Sequence, residues 1–290
     1  MTDAISSQEF MLIDWMRRLG GKRMRRLGGK RMPPALLSRL REEADGMPLL
    51  GGLSADERDR LLRLAGDLLL AKTITGLEDM EVDDAMRCRL ALQMALPGMN
   101  LGMRAYENWR EAVLYPAPFV VRNRWQDGMG LAHEAEQVLI GQAHYQGPLV
   151  FSWPDVNESP LLDGWNVVIH EVAHQFDMLD GPANGAPPLH KGMNRKTWSQ
   201  AWNQAYRQFC RTVDHGVEGW LDPYASENPA EFFAVLSEAF FEIPYLVARD
   251  FPELYGLLKL FYRQDPAARL PRVAEEALLP PPPADGHDQG

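Results

Sequence analysis

Two cysteines, Cys88 and Cys210, are the only ones among 290 residues. That count excludes a disulfide-stapled scaffold and a cysteine-rich zinc knot. No apolar run is long enough to cross a bilayer, so no membrane span is expected. The opening "MTDAISSQEF" lacks a basic stretch leading into an apolar one, so no signal peptide is read there and the expected location is cytoplasmic. Positive charge is also scarce overall: 30 Lys and Arg face 40 Asp and Glu, a formal net charge of -10. Such a balance argues against general nucleic-acid binding, and no direct nucleic-acid partner is expected. Histidine is sparse too, at 7 residues, which makes a close pair informative.

Hydrophobic residues make up 46% of the chain, enough for a substantial core. The exception to the acidic balance is at the start, where "RRLGGKRM" occurs twice in tandem, Arg17 to Met24 and Arg25 to Met32. Glycine placement and clustered charge predict a flexible basic arm over residues 1–42. A Pro-rich stretch, "LLPPPPADGHDQG", predicts a loose tail over 271–290. One folded unit is expected between them, over 43–270.

Inside that unit, Ser54 and Glu57 stand at capping-box spacing ahead of leucines with helical period, predicting a helix over Leu53 to Lys72. Asp84 to Leu96 reads as a second helix ending near Pro97. "GMNLGMRAYENW" reads as a short helical stretch. "VLYPAPFVV" has strand-forming residues, with Pro116 and Pro118 favouring an edge or irregular strand. A hairpin is expected from Val138 to Gly141 and Leu149 to Trp153, with His144 in its turn. A long helical half follows. The fold class predicted is α+β, mainly helical with a small sheet.

The chemistry concentrates in "NVVIHEVAHQFDMLDG", Asn166 to Gly181. Asp163 can cap a helix starting near Gly164 or Trp165, with Trp165, Val168, Ile169, Val172 and Phe176 on its packing face and Asp180-Gly181 at its exit. His170 and His174 then lie one turn apart on one face, where both imidazoles can reach a zinc ion. Glu171 is offset by about 100 degrees. It can take a proton from water held beside the metal. This is the H-E-x-x-H pattern of zinc peptidases.

A catalytic zinc takes three protein ligands. His190 and His215 are loop candidates without a recognisable metal spacing. A better source is "LDPYASENPAEFFAVLSEAFFEIPYL": Asn228 caps a helix, Pro229 takes its first position, and Glu231 falls at the capping-box position. Glu238 lies two turns further along the same apolar face and needs a polar partner there. Either a metal or a metal-bound histidine would serve. The assignment tried is Glu231 as third ligand and Glu238 as acceptor for a ligand histidine, although the spacing leaves the two roles interchangeable.

Together "LSADERDRLLRLA", "YPAPFVV", "QGPLVFSW", "VIHEVAHQFDMLDG", "DPYASENPAEFFAVLSEAFF" and "FYRQDP" resemble the Mlc titration factor A family of bacterial zinc metallopeptidases, distant relatives of the anthrax lethal factor catalytic domain. The resemblance spans most of the expected folded unit. It implies a zincin-like domain and an aminopeptidase-like activity on small peptides. It implies His170, His174 and Glu231 as zinc ligands, Glu171 as general base, and Tyr224 facing the water or the developing oxyanion. It also implies binding to an Mlc-like transcriptional repressor and a part in regulating sugar phosphotransferase expression. The rival function is a protein-interaction factor that titrates the repressor without proteolysis. The basic N-terminal repeat has no counterpart in the family pattern.

Overall fold

The computed structural model describes residues 32–117, 121–126, 132–137, 147–217 and 219–273. Most of the tandem basic repeat, the Val138 to Gly141 strand, His144 and the tail from residue 274, with all of its Pro-rich stretch, lie outside these residues. Helix α1 covers Pro34–Asp45. It begins ahead of the boundary expected at residue 43, because Leu40 and Ala44 are buried in the core. Helix α2 covers Ala55–Ala71, and its start carries both halves of the expected capping box between Ser54 and Glu57.

Strand β1 (Thr73–Gly76) follows, then helix α3 (Asp84–Gly98) and strand β2 (Glu111–Tyr115). Pro97 lies within the last turn of α3 rather than ending it. The stretch around Met103–Tyr106 is a single 3-10 turn. Strands β3 (Val121–Gln126) and β4 (Ala132–Gln137) pair antiparallel. Strand β5 (Leu149–Ser152) runs straight into helix α4 (Trp153–Glu158), capped by the Ser152 side chain.

The main sheet has the order β1-β2-β5 and is parallel throughout, with Ala112 opposite Leu149 and Leu114 opposite Phe151. Strand β5, expected as one arm of a hairpin, pairs in parallel with β2; its expected partner, Val138 to Gly141, lies outside the described residues. The physical reason is burial: all four residues of β5 are buried, the pattern of a covered parallel strand rather than of a half-exposed hairpin arm. Strand β2 is central, not an edge. It stops at Tyr115, so Pro116 never has to join the ladder.

The second half is helical: α5 (Val167–Asp177), α6 (Arg195–Asp214), α7 (Pro229–Glu242), α8 (Pro244–Asp250) and α9 (Pro252–Tyr262). Helix α5 packs on α7 and α3. Its Val168, Ile169, Val172 and Phe176 are fully buried. Trp165, expected on that face, is 36% exposed. The helix starts later than expected. Gly164 has φ +94°, outside the helical region, and the Asp163 carboxylate accepts from the Trp165 N–H in a turn instead. Asn166 is the cap, its Oδ1 accepting from Ile169 N–H at 3.0 Å.

The exit is earlier than Asp180-Gly181. Helix α5 ends at Asp177, whose carboxylate accepts the backbone N–H groups of Asn184, Gly185 and Ala186 at 2.7, 2.6 and 2.9 Å. This draws the following loop against the start of α7. Gly185 has φ +77°, and a Cβ there would lie 2.3 Å from the Pro229 carbonyl oxygen, so only glycine fits. Among the described residues no helix is long and apolar enough to cross a membrane.

Candidate metal centre

Helix α5 brings His170 and His174 together by its period alone, with their Nε2 atoms 3.1 Å apart. Helix α7 supplies the third donor. Asn228 Oδ1 accepts from the N–H groups of Ala230 and Glu231, so the helix start is satisfied. The Glu231 side chain then points across to α5. Its Oε2 lies 3.1 Å from His170 Nε2 and 3.2 Å from His174 Nε2.

Three donor atoms thus form a near-equilateral triangle. A tetrahedral zinc with bonds of about 2.0–2.1 Å separates its ligands by about 3.3 Å, so the triangle fits such an ion. The donor set, two imidazoles and one carboxylate, is one used by catalytic zinc. Among the described residues these three form the one cluster of this kind.

The other ring nitrogen of His170 fixes its tautomer. Nδ1 lies 2.7 Å from Glu238 Oε1, and a carboxylate accepts, so Nδ1 donates there and the neutral ring presents its Nε2 lone pair to the centre. Glu238 is 1% exposed, and its Oε2 accepts from the Asn166 N–H at 2.6 Å. The two glutamates of α7 therefore do different things. Burial would push Glu231 up, but hydrogen bonds from His170 and His174 hold its carboxyl well below the usual range. Burial does push Glu238 up, against the pull of His170. For His170 burial disfavours the charge, yet Glu238 and Glu231 outweigh it and hold the imidazole well above its ordinary value. Proton and metal compete for such a ring.

Glu171 is 1% exposed, and its Oε2 has no hydrogen-bond partner among the described residues. Burial raises its carboxyl above the usual range, the direction that suits a general base. Gln175, one turn on, is likewise 1% exposed with neither amide atom partnered among the described residues.

Tyr224 sits on a 3-10 turn, Pro223–Ser226, ahead of α7. Its N–H donates to Asp222 Oδ1, and α6 anchors the turn through the Tyr206 hydroxyl, which donates to the Ser226 carbonyl at 2.8 Å. The Tyr224 ring centroid lies 6.3 Å from that of His170. Burial, then the nearby carboxylates of Glu231 and Glu171, raise its phenol, so it stays a proton donor at neutral pH.

His190 is elsewhere: its Nε2 donates to the Phe261 carbonyl and its ring stacks on Phe261. His215 closes the end of α6 with Nδ1 on the Arg211 carbonyl. Sequence reasoning missed Asn166, Glu242, Gln175 and Asp177. The signal for Asn166 was present, an Asn directly before a β-branched run opening the helix, but Asp163 competed for the same role.

The matches to known proteins agree with this geometry. The family model for glucose-regulated metallo-peptidase M90 matches residues 19–263. Proteins called Mlc titration factor A from Yersinia pestis (strain Pestoides F) and Yersinia pseudotuberculosis serotype O:1b (strain IP 31758) are each 41% identical over 258 residues, covering 88% of this chain and 95% of the relative. A family model spanning most of the chain, and relatives matched almost end to end, place this protein in the M90 family of glucose-regulated metallopeptidases.

Proposed function

We propose that this chain is a zinc-dependent peptidase with one zincin-like catalytic unit, expected over 43–270 and extended by α1 back to Pro34, with a basic arm ahead of it and a tail over 271–290. The observation that carries the reading is the triangle of His170 Nε2, His174 Nε2 and Glu231 Oε2 at 3.1 to 3.2 Å beside the buried Glu171, whose Oε2 has no partner among the described residues. His170, His174 and Glu231 hold the metal. Zinc, when bound, supplies a Lewis acid that polarises the scissile carbonyl and makes water acidic near neutral pH.

The protein's own groups do the rest. Glu171 accepts the proton of the attacking water and returns it to the leaving amine. Burial raises its carboxyl from the ordinary range, the direction that favours holding and returning that proton. The Tyr224 hydroxyl donates to the oxygen on which negative charge develops. Glu238 holds His170 in its productive tautomer. Among the described residues strand β5 ends the order β1-β2-β5 and so offers an edge for a substrate strand. A bound peptide found away from β5 would refute that placement. An aminopeptidase-like preference for small peptides and a cytoplasmic location follow from the family resemblance.

The test is zinc content and turnover of short peptides for the wild type and Glu171→Gln. One zinc per chain in both, with turnover confined to the wild type, is expected. Absence of zinc after supplementation would overturn the reading.

The relatives' name, Mlc titration factor A, favours a second function that can coexist with the first: binding of an Mlc-like transcriptional repressor, and through it regulation of sugar phosphotransferase expression. A Glu171→Gln protein that still binds such a repressor would separate titration from proteolysis. Failure of the wild type to bind it would remove the second function.

A further inference from the structure

Glu238 and Glu242 are 1% and 0% exposed, one turn apart on α7. Both are engaged by a single residue, Asn166, itself 0% exposed. Its N–H donates to Glu238 Oε2 at 2.6 Å. Its Nδ2 donates to Glu242 Oε1 at 2.9 Å and to the Ser159 carbonyl at 3.1 Å, with Gln93 Oε1 at 3.4 Å. Its Oδ1 caps α5 through the Ile169 N–H at 3.0 Å. Gln93 in turn donates to the Val156 carbonyl at 2.9 Å.

Capping alone would not require this residue. Asp and Ser cap as well as Asn, but neither carries an amide that can donate twice. The three acceptors around Nδ2 come from α3, from the end of α4 and from α7. They fix Asn166 against all three elements at once. Burial pushes the Glu242 carboxyl well above its ordinary range, against the hydrogen bond from Asn166.

We propose that Asn166 is a positioning residue for the metal site: anchored through its amide to Glu242, Ser159 and Gln93, it holds Glu238 so that Glu238 accepts the hydrogen bond from His170 Nδ1–H and aims His170 Nε2 at the metal. The chain of contacts runs Glu242, Asn166, Glu238, His170. The inference rests on the reading of His170 as a metal ligand. Loss of a group that orients a ligand typically weakens metal binding 10- to 100-fold. Asn166 stands one contact further out, so the lower end, about tenfold, is expected.

The experiment measures zinc affinity of the full chain by competition with a chromogenic chelator, together with thermal unfolding of the metal-stripped protein. Asn166→Ser keeps a capping oxygen but loses the amide. Asn194→Ser makes the same change at the cap of α6, where Asn194 accepts from the Thr197 N–H away from the metal site. Asn166→Ser should bind zinc about tenfold more weakly. Asn194→Ser should bind as the wild type does, whatever its stability. Glu242→Met removes the acceptor for the Asn166 amide and should weaken binding. Wild-type affinity in Asn166→Ser would reduce Asn166 to a cap and overturn the proposal. If Asn166→Ser does not fold, unchanged affinity in Glu242→Met overturns it instead. A wild type that binds no zinc would sink the metal reading, and this inference with it. Equal zinc binding in the wild type, Asn166→Ser and Glu242→Met would sink this inference alone.

Discussion

Replacing Glu238 with glutamine removes one charge and almost no volume, yet it should be costly. The carboxylate accepts on both sides, from His170 Nδ1 at 2.7 Å and from the Asn166 N–H at 2.6 Å. An amide has one acceptor end. If its oxygen faces His170, its NH2 group meets the Asn166 N–H, and a buried donor at the start of α5 is orphaned. If it is flipped, the NH2 group forces His170 into the other tautomer, with the proton on Nε2 where the metal must bind. An unsatisfied buried donor costs about 1–3 kcal/mol. Loss of the orienting acceptor weakens metal binding about 10- to 100-fold, equivalent to about 1.4–2.7 kcal/mol. Zinc competition should therefore show the affinity loss. Thermal unfolding should show a lowered midpoint, by about 2–4 °C for each kcal/mol at this chain size. A Glu238→Gln protein with wild-type zinc affinity and an unchanged midpoint would refute the two-sided acceptor argument.

Tyr224→Phe should lower kcat about 100-fold, the effect of removing one oxyanion donor, and leave zinc affinity intact; equal kcat would restrict Tyr224 to packing. Stripping the metal should lower the unfolding midpoint, and free zinc at about 100 times its Kd should restore about 2.7 kcal/mol; a midpoint indifferent to zinc would contradict a site built across two helices. At the start of α2, Ser54→Ala should cost about 1 kcal/mol in denaturant titrations. Hydrogen bonds from Ser54 hold the Glu57 carboxyl below its ordinary value, so its contribution is present above the unfolded pKa and is lost as pH falls through the folded one. The stability difference between wild type and Glu57→Gln should shrink on acidification; a difference constant with pH would dispose of the linkage.

Features carried by short-range rules were legible in advance. Ser54 and Glu57 close a capping box within four residues, and Asn228 and Pro229 open α7 where their chemistry permits. The strand expected over Leu149 to Trp153 forms as β5, but its pairing with β2, 37 residues away in register from Ala112 to Leu149, was not legible, because strand partners are chosen by which faces become buried. Asp163 and Asn166 are equally good caps on paper. Gly164, with its positive φ, settles the matter only once the loop packs under Ile243, whose side chain lies 2.6 Å from where a Cβ would be.

The site divides the same way. That His170 and His174 share a face, with Glu171 turned from it, is set by the helical period and needs no tertiary contact. That Glu231 and Glu238 share a face of α7 is set likewise. Which glutamate meets which nitrogen depends on how α7 crosses α5. Glu231 reaches His174 across 57 residues of chain, and Glu238 reaches His170 across 68. No local rule spans that distance. Packing of the apolar faces brings the helices together, and the buried carboxylates then have to take the partners within reach.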